Sequence, residues 1–257
     1  MSSLLIGLVA ILLIITTLLV SIPGGAQLFL LIRLPLTWHT SAAHSVISQH
    51  FDGFDVTFRA YDNTNTSVPP RHDPTVVPPR LHHILLGPSQ PHVEQSIARA
   101  ACLKLHPGWQ PFFWDDVSAD EFVQQHFPKY WEMWRNYPYW EQKVDALRYV
   151  LYTDGGAVLD LDLECKRSLE PLRRFEFVAP AAHPFGFSVD MMMASPRNAF
   201  VKELIWNLPA FNRQWLLSPD ATAMFSTGRH YASWRYAQRD DHPLVSQCSQ
   251  KRESIGA

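Results

Sequence analysis

Asp160, Asp162 and Glu164 recur at every second residue near the end of the run VDALRYVLYTDGGAVLDLDLE, which occupies 144–164. On a strand, a period of two puts these acids on one face and Leu159, Leu161 and Leu163 on the other. Two carboxylates so spaced, beside a Gly155-Gly156 turn, supply the hard oxygen ligands that Mg²⁺ or Mn²⁺ prefers. By itself the triplet reads better as an amphipathic strand with a solvated acidic face, since such triplets are frequent. Asp145 and Arg148 shift that balance, because residues three apart share one side of a helix. That helix feeds the acidic strand through the two glycines, so four charged groups converge near one end of a sheet. Open α/β sheets bind ligands outside the carboxyl ends of their strands. A cation and a guanidinium there suit a diphosphate, the metal bridging some oxygens and the guanidinium forking onto others. The competing reading of Asp145 and Arg148 is a surface ion pair of little worth.

The elements that would hold these groups follow from apolar spacing. Val144, Leu147 and Leu151 mark a helical face over 142–153, and 157–163 reads as a strand. Gly155-Gly156 supplies a left-handed turn between them. Upstream, 81–86 is a short apolar run closed by Gly87-Pro88. Val93, Ile97, Ala100 and Ala101 repeat at helical spacing until Pro107-Gly108, and 109–114 is a strand candidate. Ser118 and Glu121 have capping-box spacing, opening a helix through Phe127. Strands alternating with helices in this way predict an α/β sheet with a mainly parallel core.

Composition narrows the function classes. The 257 residues carry a formal net charge of −2, and 18% are charged. That gives no electrostatic footprint for a nucleic-acid partner. Cys102, Cys165 and Cys248 are too few for a disulfide scaffold or a four-ligand zinc site. His82 and His83 are adjacent on a short strand and face opposite ways, so they do not share a metal. There is no phosphate-binding P-loop, dinucleotide fingerprint, zinc-protease helix or nucleophile elbow. Residues 4–22 hold no charge and approach the roughly 20 apolar residues that span a bilayer. This segment reads as an uncleaved signal anchor in preference to a cleaved signal peptide. The stretch 61–80, rich in Pro, Asn and Thr, reads as a stem, and Asn65-Thr66-Ser67 has the pattern of a glycosylation acceptor.

Several motifs in order carry a family resemblance: PPRLHHILLG at 78–87, HPGWQPFFWDD at 106–116, the 144–164 run, FNRQW at 211–215 and MFSTG at 224–228. The chain resembles glycosyltransferase family 32, the DXD-containing sugar transferases, and within it the fungal branch of inositol phosphoceramide mannosyltransferases. The resemblance implies a GT-A, Rossmann-like α/β nucleotide-sugar-binding domain behind an N-terminal transmembrane helix. It divides the chain into an anchor at 1–33, a stem at 34–78, a catalytic domain at 79–233 and an irregular tail at 234–257. It implies retaining transfer of mannose from GDP-mannose to a glycolipid or glycan hydroxyl, assisted by Mn²⁺ or Mg²⁺. The setting would be the Golgi lumen, with a possible regulatory membrane subunit as partner. Position by position, Asp160 would face the ribose and metal, and Asp162 would ligate the metal. Asp145 and Arg148 would contact donor sugar and diphosphate, Gly155 and Gly156 would turn the backbone, and Asp190 in FSVDMMMA would lie near the sugar. The family motif departs at 84–86, where Ile-Leu-Leu replaces a Trp, and at Arg229, where relatives have Pro. Relatives also close on a His-bearing segment that the polar tail lacks; a related membrane protein that binds without catalysis is the alternative.

Overall fold

The computed structural model describes residues 32–42, 46–61, 75–88, 91–214, 219–239 and 245–248, with isolated positions between 5 and 29. Most of the anchor segment, the Asn65 acceptor pattern and most of the tail lie outside the described residues. Among the described residues, no helix is long and apolar enough to cross a membrane.

The sheet has six strands: β1 (Arg80–Ile84), β2 (Gln110–Trp114), β3 (Gly156–Leu159), β4 (Phe177–Pro180), β5 (Met191–Ala194) and β6 (Val245–Cys248). Their spatial order is β2-β1-β3-β5-β4-β6. β1 runs parallel to both β2 and β3, β5 is antiparallel to β3 and β4, and β6 is parallel to β4. The sheet is parallel-rich as expected, but it is mixed, since β5 is inverted beside β3 and β4.

Both faces are covered, so the central strands are apolar throughout rather than alternating with polar residues. Val158, Met192, Ala194 and Phe177 enter one core with Trp114, Leu147 and Tyr231. Ala157, Leu159, Met191, Met193 and Val178 enter the other, with Leu81, Phe54 and Trp109.

The helices are α1 (Leu34–Thr37), α2 (Gln49–Asp52), α3 (Val93–Leu105), α4 (Asp116–His126), α5 (Pro128–Arg135), α6 (Trp140–Leu147), α7 (Leu151–Asp154), α8 (Ala199–Phe211), α9 (Pro219–Ser226) and α10 (Arg229–Ala237). α3 forms where the apolar spacing placed it, but it buries Ala98 and Cys102 and leaves Val93 and Ile97 exposed. α4 starts earlier than the Ser118 reading. Asp115 is its N-cap, its carboxylate accepting the Ser118 N–H at 2.8 Å while Ser118 Oγ accepts the Asp115 N–H at 3.0 Å. The helix expected over 142–153 is three pieces, α6 and α7 joined by a 3₁₀ turn at Arg148–Val150.

The acidic strand is shorter than its alternation suggested. β3 ends at Leu159; the Asp160 N–H donates to Asp190 O at 2.9 Å, and the Leu163 N–H donates to Asp160 O at 3.1 Å, closing a turn. Asp160, Asp162 and Glu164 thus sit on a turn and not on one strand face. Asp at a turn is favoured because its short side chain competes with strand pairing. Gly155 and Gly156 have φ of 64° and 107°, and Gly155 ψ is −173°, a conformation outside the left-handed helical turn expected there. A Cβ on Gly156 would lie 2.6 Å from Arg80 O, so glycine is required there by packing as well as by φ.

Two further departures concern the flanks. Within the expected stem, Leu34, Trp38, Ile47, Phe54 and Val77 are buried. At the other end α10 runs past residue 233, and β6 adds a strand from within the tail. Cys102 on α3 and Cys165 form a disulfide, three residues beyond Asp162.

Candidate active site

Arg148, at the start of the 3₁₀ turn, joins the two carboxylates that its spacing singled out. Nη1 donates to Asp145 Oδ1, and Nη2 donates to both carboxylate oxygens of Asp160 at 2.6 Å. The Arg148 side chain is only 7% exposed and that of Asp145 12%, which sets aside a surface ion pair. The tight turn matters because it brings Arg148 under the end of β3, where Asp160 leaves the sheet.

Burial pushes the Asp145 carboxyl up to about 6, against the pull of Arg148 and with the Asp160 charge adding to the rise. Burial likewise raises Asp160 to about 6, opposed by Arg148 and reinforced by Asp190 and Asp162. Burial disfavours the Arg148 charge, but the two carboxylates outweigh it and raise the guanidinium's pKa. One cation between two acids leaves a cluster that still favours a further cation.

Distant residues fix this cluster. Thr227 Oγ1 donates to Asp145 Oδ2 at 3.3 Å, Tyr149 Oη donates to Thr227 O at 2.7 Å, and Gln142 Nε2 donates to Ser226 Oγ at 2.7 Å. The MFSTG segment is therefore the end of α9 and its turn into α10, clamped onto α6 and the 3₁₀ turn. Gly228 completes the clamp, since a Cβ there would lie 2.8 Å from Asp145 Oδ2. Sequence reasoning noticed this motif but not these contacts.

An open cleft of ≈ 430 Å³ lies over the cluster. That volume is in the roughly 300–1,000 Å³ range of small-molecule sites. Asp145, Arg148 and Asp190 line it, as expected from sequence; Trp140, Glu141, Asp220 and Arg229 line it too and were not anticipated as site residues. Asp190 immediately precedes β5, and its carbonyl holds the Asp160 N–H. Asp160 is half-buried and Asp162 exposed on the turn. Gly155 and Gly156 are not brought to the cleft: Gly155 caps α7 against Pro78 and Pro196, and Gly156 begins β3 against Arg80. His82 and His83 are both buried; Nε2 of His82 meets Gly155 O at 3.0 Å, and Trp114 Nε1 donates to its Nδ1 at 3.1 Å.

Among the described residues, no group of three or more His, Cys, Asp or Glu is placed to hold a metal alone. Asp160 and Asp162 are carboxylates two positions apart on the turn, and both Asp160 oxygens accept from Arg148 Nη2. Mg²⁺ is commonly bound through one or two carboxylates plus phosphate oxygens.

Residues 92–178 match the family described as the glycosyltransferase sugar-binding region containing the DXD motif. Mannosyl phosphorylinositol ceramide synthase SUR1 of Saccharomyces cerevisiae is 31% identical over 182 residues, 69% of this chain and 46% of that protein. Inositol phosphoceramide mannosyltransferase 1 of Schizosaccharomyces pombe is 33% identical over 143 residues, 54% of this chain and 44% of that protein. The chain thus spans about half the length of the curated relatives it matches. A solved PaToxG glycosyltransferase aligns with a TM-score of 0.50 at 13% identity, covering 80% of this chain and 79% of that one. The mixed α/β architecture with its parallel-rich sheet fits the GT-A fold. Residues 92–178, which hold the DXD turn and the Asp145–Arg148 pair, thus match the sugar-binding region of the DXD-containing glycosyltransferases.

Proposed function

We propose that the chain transfers mannose from GDP-mannose to a hydroxyl of an inositol phosphoceramide, with retention of anomeric configuration. The observation that carries this reading is the buried Asp145–Arg148–Asp160 bridge beneath an open cleft, next to the exposed Asp162. The names of the relatives supply the sugar and the acceptor class.

Asp160 and Asp162 would hold a divalent cation, Mn²⁺ or Mg²⁺. When bound, it supplies positive charge to a leaving diphosphate. Arg148 keeps the Asp160 carboxylate oriented, so little reorganisation is needed as charge develops. Asp145, locked by Arg148 and Thr227, presents its remaining acceptor capacity to hydroxyls of the donor sugar. Asp190 borders the same space and serves the sugar as a second acceptor. No side chain has to take the acceptor proton, because the leaving phosphate can accept it in a retaining transfer. Gly155 and Gly156 act through the backbone, setting where β3 begins.

Residues 79–233 would form the catalytic domain, carried on a single N-terminal span with the domain in the Golgi lumen. The Cys102–Cys165 disulfide supports an oxidising compartment. The test is Asp162→Ala in the full chain, assayed for mannose transfer with and without Mn²⁺. Loss of metal-dependent turnover with an unchanged unfolding midpoint is expected; undiminished transfer would overturn the assignment.

A further inference from the structure

Arg148, the cation that spacing assigned to a diphosphate, is already committed. Both of its terminal nitrogens lie on carboxylates, and its side chain is 7% exposed. The cleft above it is otherwise acidic, lined by Glu141, Asp145, Asp190 and Asp220. A phosphate entering that cleft needs a positive partner besides any metal. Arg229 is the other cation among the described lining residues. It is exposed, and among the described residues it makes no ion pair.

The backbone holds Arg229 in place. Gly228 lets α10 begin directly against the buried Asp145, since a Cβ there would also lie 3.2 Å from Ala223 O. Gly228 offers no side-chain cap to this nine-residue helix. The first-turn N–H groups, which have no partner within the helix, therefore stay available, and the helix dipole favours an anion beside them. A separate observation points the same way: among the described residues, Nε of the nine-tenths-buried Arg148, a residue that lines this cleft, has no hydrogen-bond partner. Buried donors are rarely left unpaired.

We propose that Arg229, with the first turn of α10, receives a phosphate group of a substrate bound in this cleft. The proposal rests on the glycosyltransferase reading. Guanidinium forks match phosphate oxygens geometrically and by charge. Two substrates could bring that chemistry: the diphosphate of the donor, or the phosphodiester of an inositol-phosphate head group.

The experiment uses the full chain in detergent, comparing wild type with Arg229→Ala and Arg229→Lys. GDP affinity in Mn²⁺ is measured by calorimetry. Mannose transfer is measured to inositol phosphoceramide and to free inositol, a phosphate-free acceptor. Thermal unfolding is expected to be the same in all three proteins, because Arg229 is exposed. Arg229→Ala is expected to cost about tenfold in one arm, with Arg229→Lys recovering part of it. Weakened GDP binding assigns the contact to the donor diphosphate. Unchanged GDP binding with a raised KM for the phospholipid, but not for inositol, assigns it to the acceptor phosphodiester. If Arg229→Ala matches wild type in both arms, the proposal is overturned while the glycosyltransferase reading stands. If wild type neither binds GDP nor transfers mannose, that reading fails first and takes the proposal with it.

Discussion

At the scale of single residues, Arg148 and Asp162 differ in surroundings: Arg148 is buried between two acids, and Asp162 is exposed. Arg148 neutralises two acids that burial has already pushed up, so removing it strands both. Arg148→Lys keeps one positive charge but loses the fork that reaches Asp145 and Asp160 together. Breaking a buried pair from one side costs about 3–5 kcal/mol, and a drop of this order is expected in the urea-unfolding free energy of Arg148→Lys. Asp162 is exposed on its turn, and Asp162→Ala is expected to stay within about 0.5 kcal/mol of wild type in the same measurement. Asp145, Arg148 and Asp160 were legible in the sequence because their relation is local, a helical spacing of three followed by a glycine turn. Thr227, which fixes Asp145 from 82 positions away, was not. No period or propensity encodes a contact at that separation, and the MFSTG motif gave its position without its partner.

Elements explain where the sequence reading overshot. The alternation of Leu and acid over 157–163 satisfies a strand, but pairing with β5 stops at Leu159, and Asp160 is drawn off by Arg148 and the Asp190 carbonyl. Alternation alone does not extend a strand past its last paired residue. β1 carries a different lesson, because His82 and His83 are polar letters in a strand buried on both faces. Burial holds His82 near 4, opposed by its contact with Gly155 O. Burial, with Arg99, holds His83 near 4. Each folded value lies below the unfolded 6.5, so the unfolded chain binds more protons between these limits. The stability from neutral His82 is then full above about pH 6.5 and is lost as pH falls toward 4, up to roughly 3 kcal/mol. Asp145 and Asp160, raised in the fold, contribute with opposite sign, so the informative comparison is wild type against His82→Gln. A shallower fall of the urea midpoint from pH 7 to 4.5 is expected in the variant; an equal fall would contradict this origin.

The disulfide belongs to the same scale, since it ties α3 to the chain just beyond the DXD turn. Cys165 closes a loop of 63 positions. Opening such a link costs about 2–4 kcal/mol. Reduction with dithiothreitol is expected to lower the melting temperature, and Cys102→Ser with Cys165→Ser to abolish that response.

At the scale of the molecule, two apolar cores sandwich a sheet whose central strands are buried, and the turn after β3 brings Asp160 onto Arg148, which lines the cleft. The N-terminal flank is part of this body: Trp38 packs against Phe187 and Tyr236, with ring centroids 6.3 and 5.7 Å away. The division that gave 34–78 to a stem could not show that apolar residues within it reach the core. The near-neutral charge conceals a local concentration of acid around one buried guanidinium, where we propose that a nucleotide binds through a metal. Calorimetric titration of the full chain with GDP, with and without Mn²⁺, tests it most directly. Wild type is expected to bind GDP tightly only with Mn²⁺, and Asp162→Ala is expected to lose that dependence. Equal affinity with and without the metal in both proteins would contradict it.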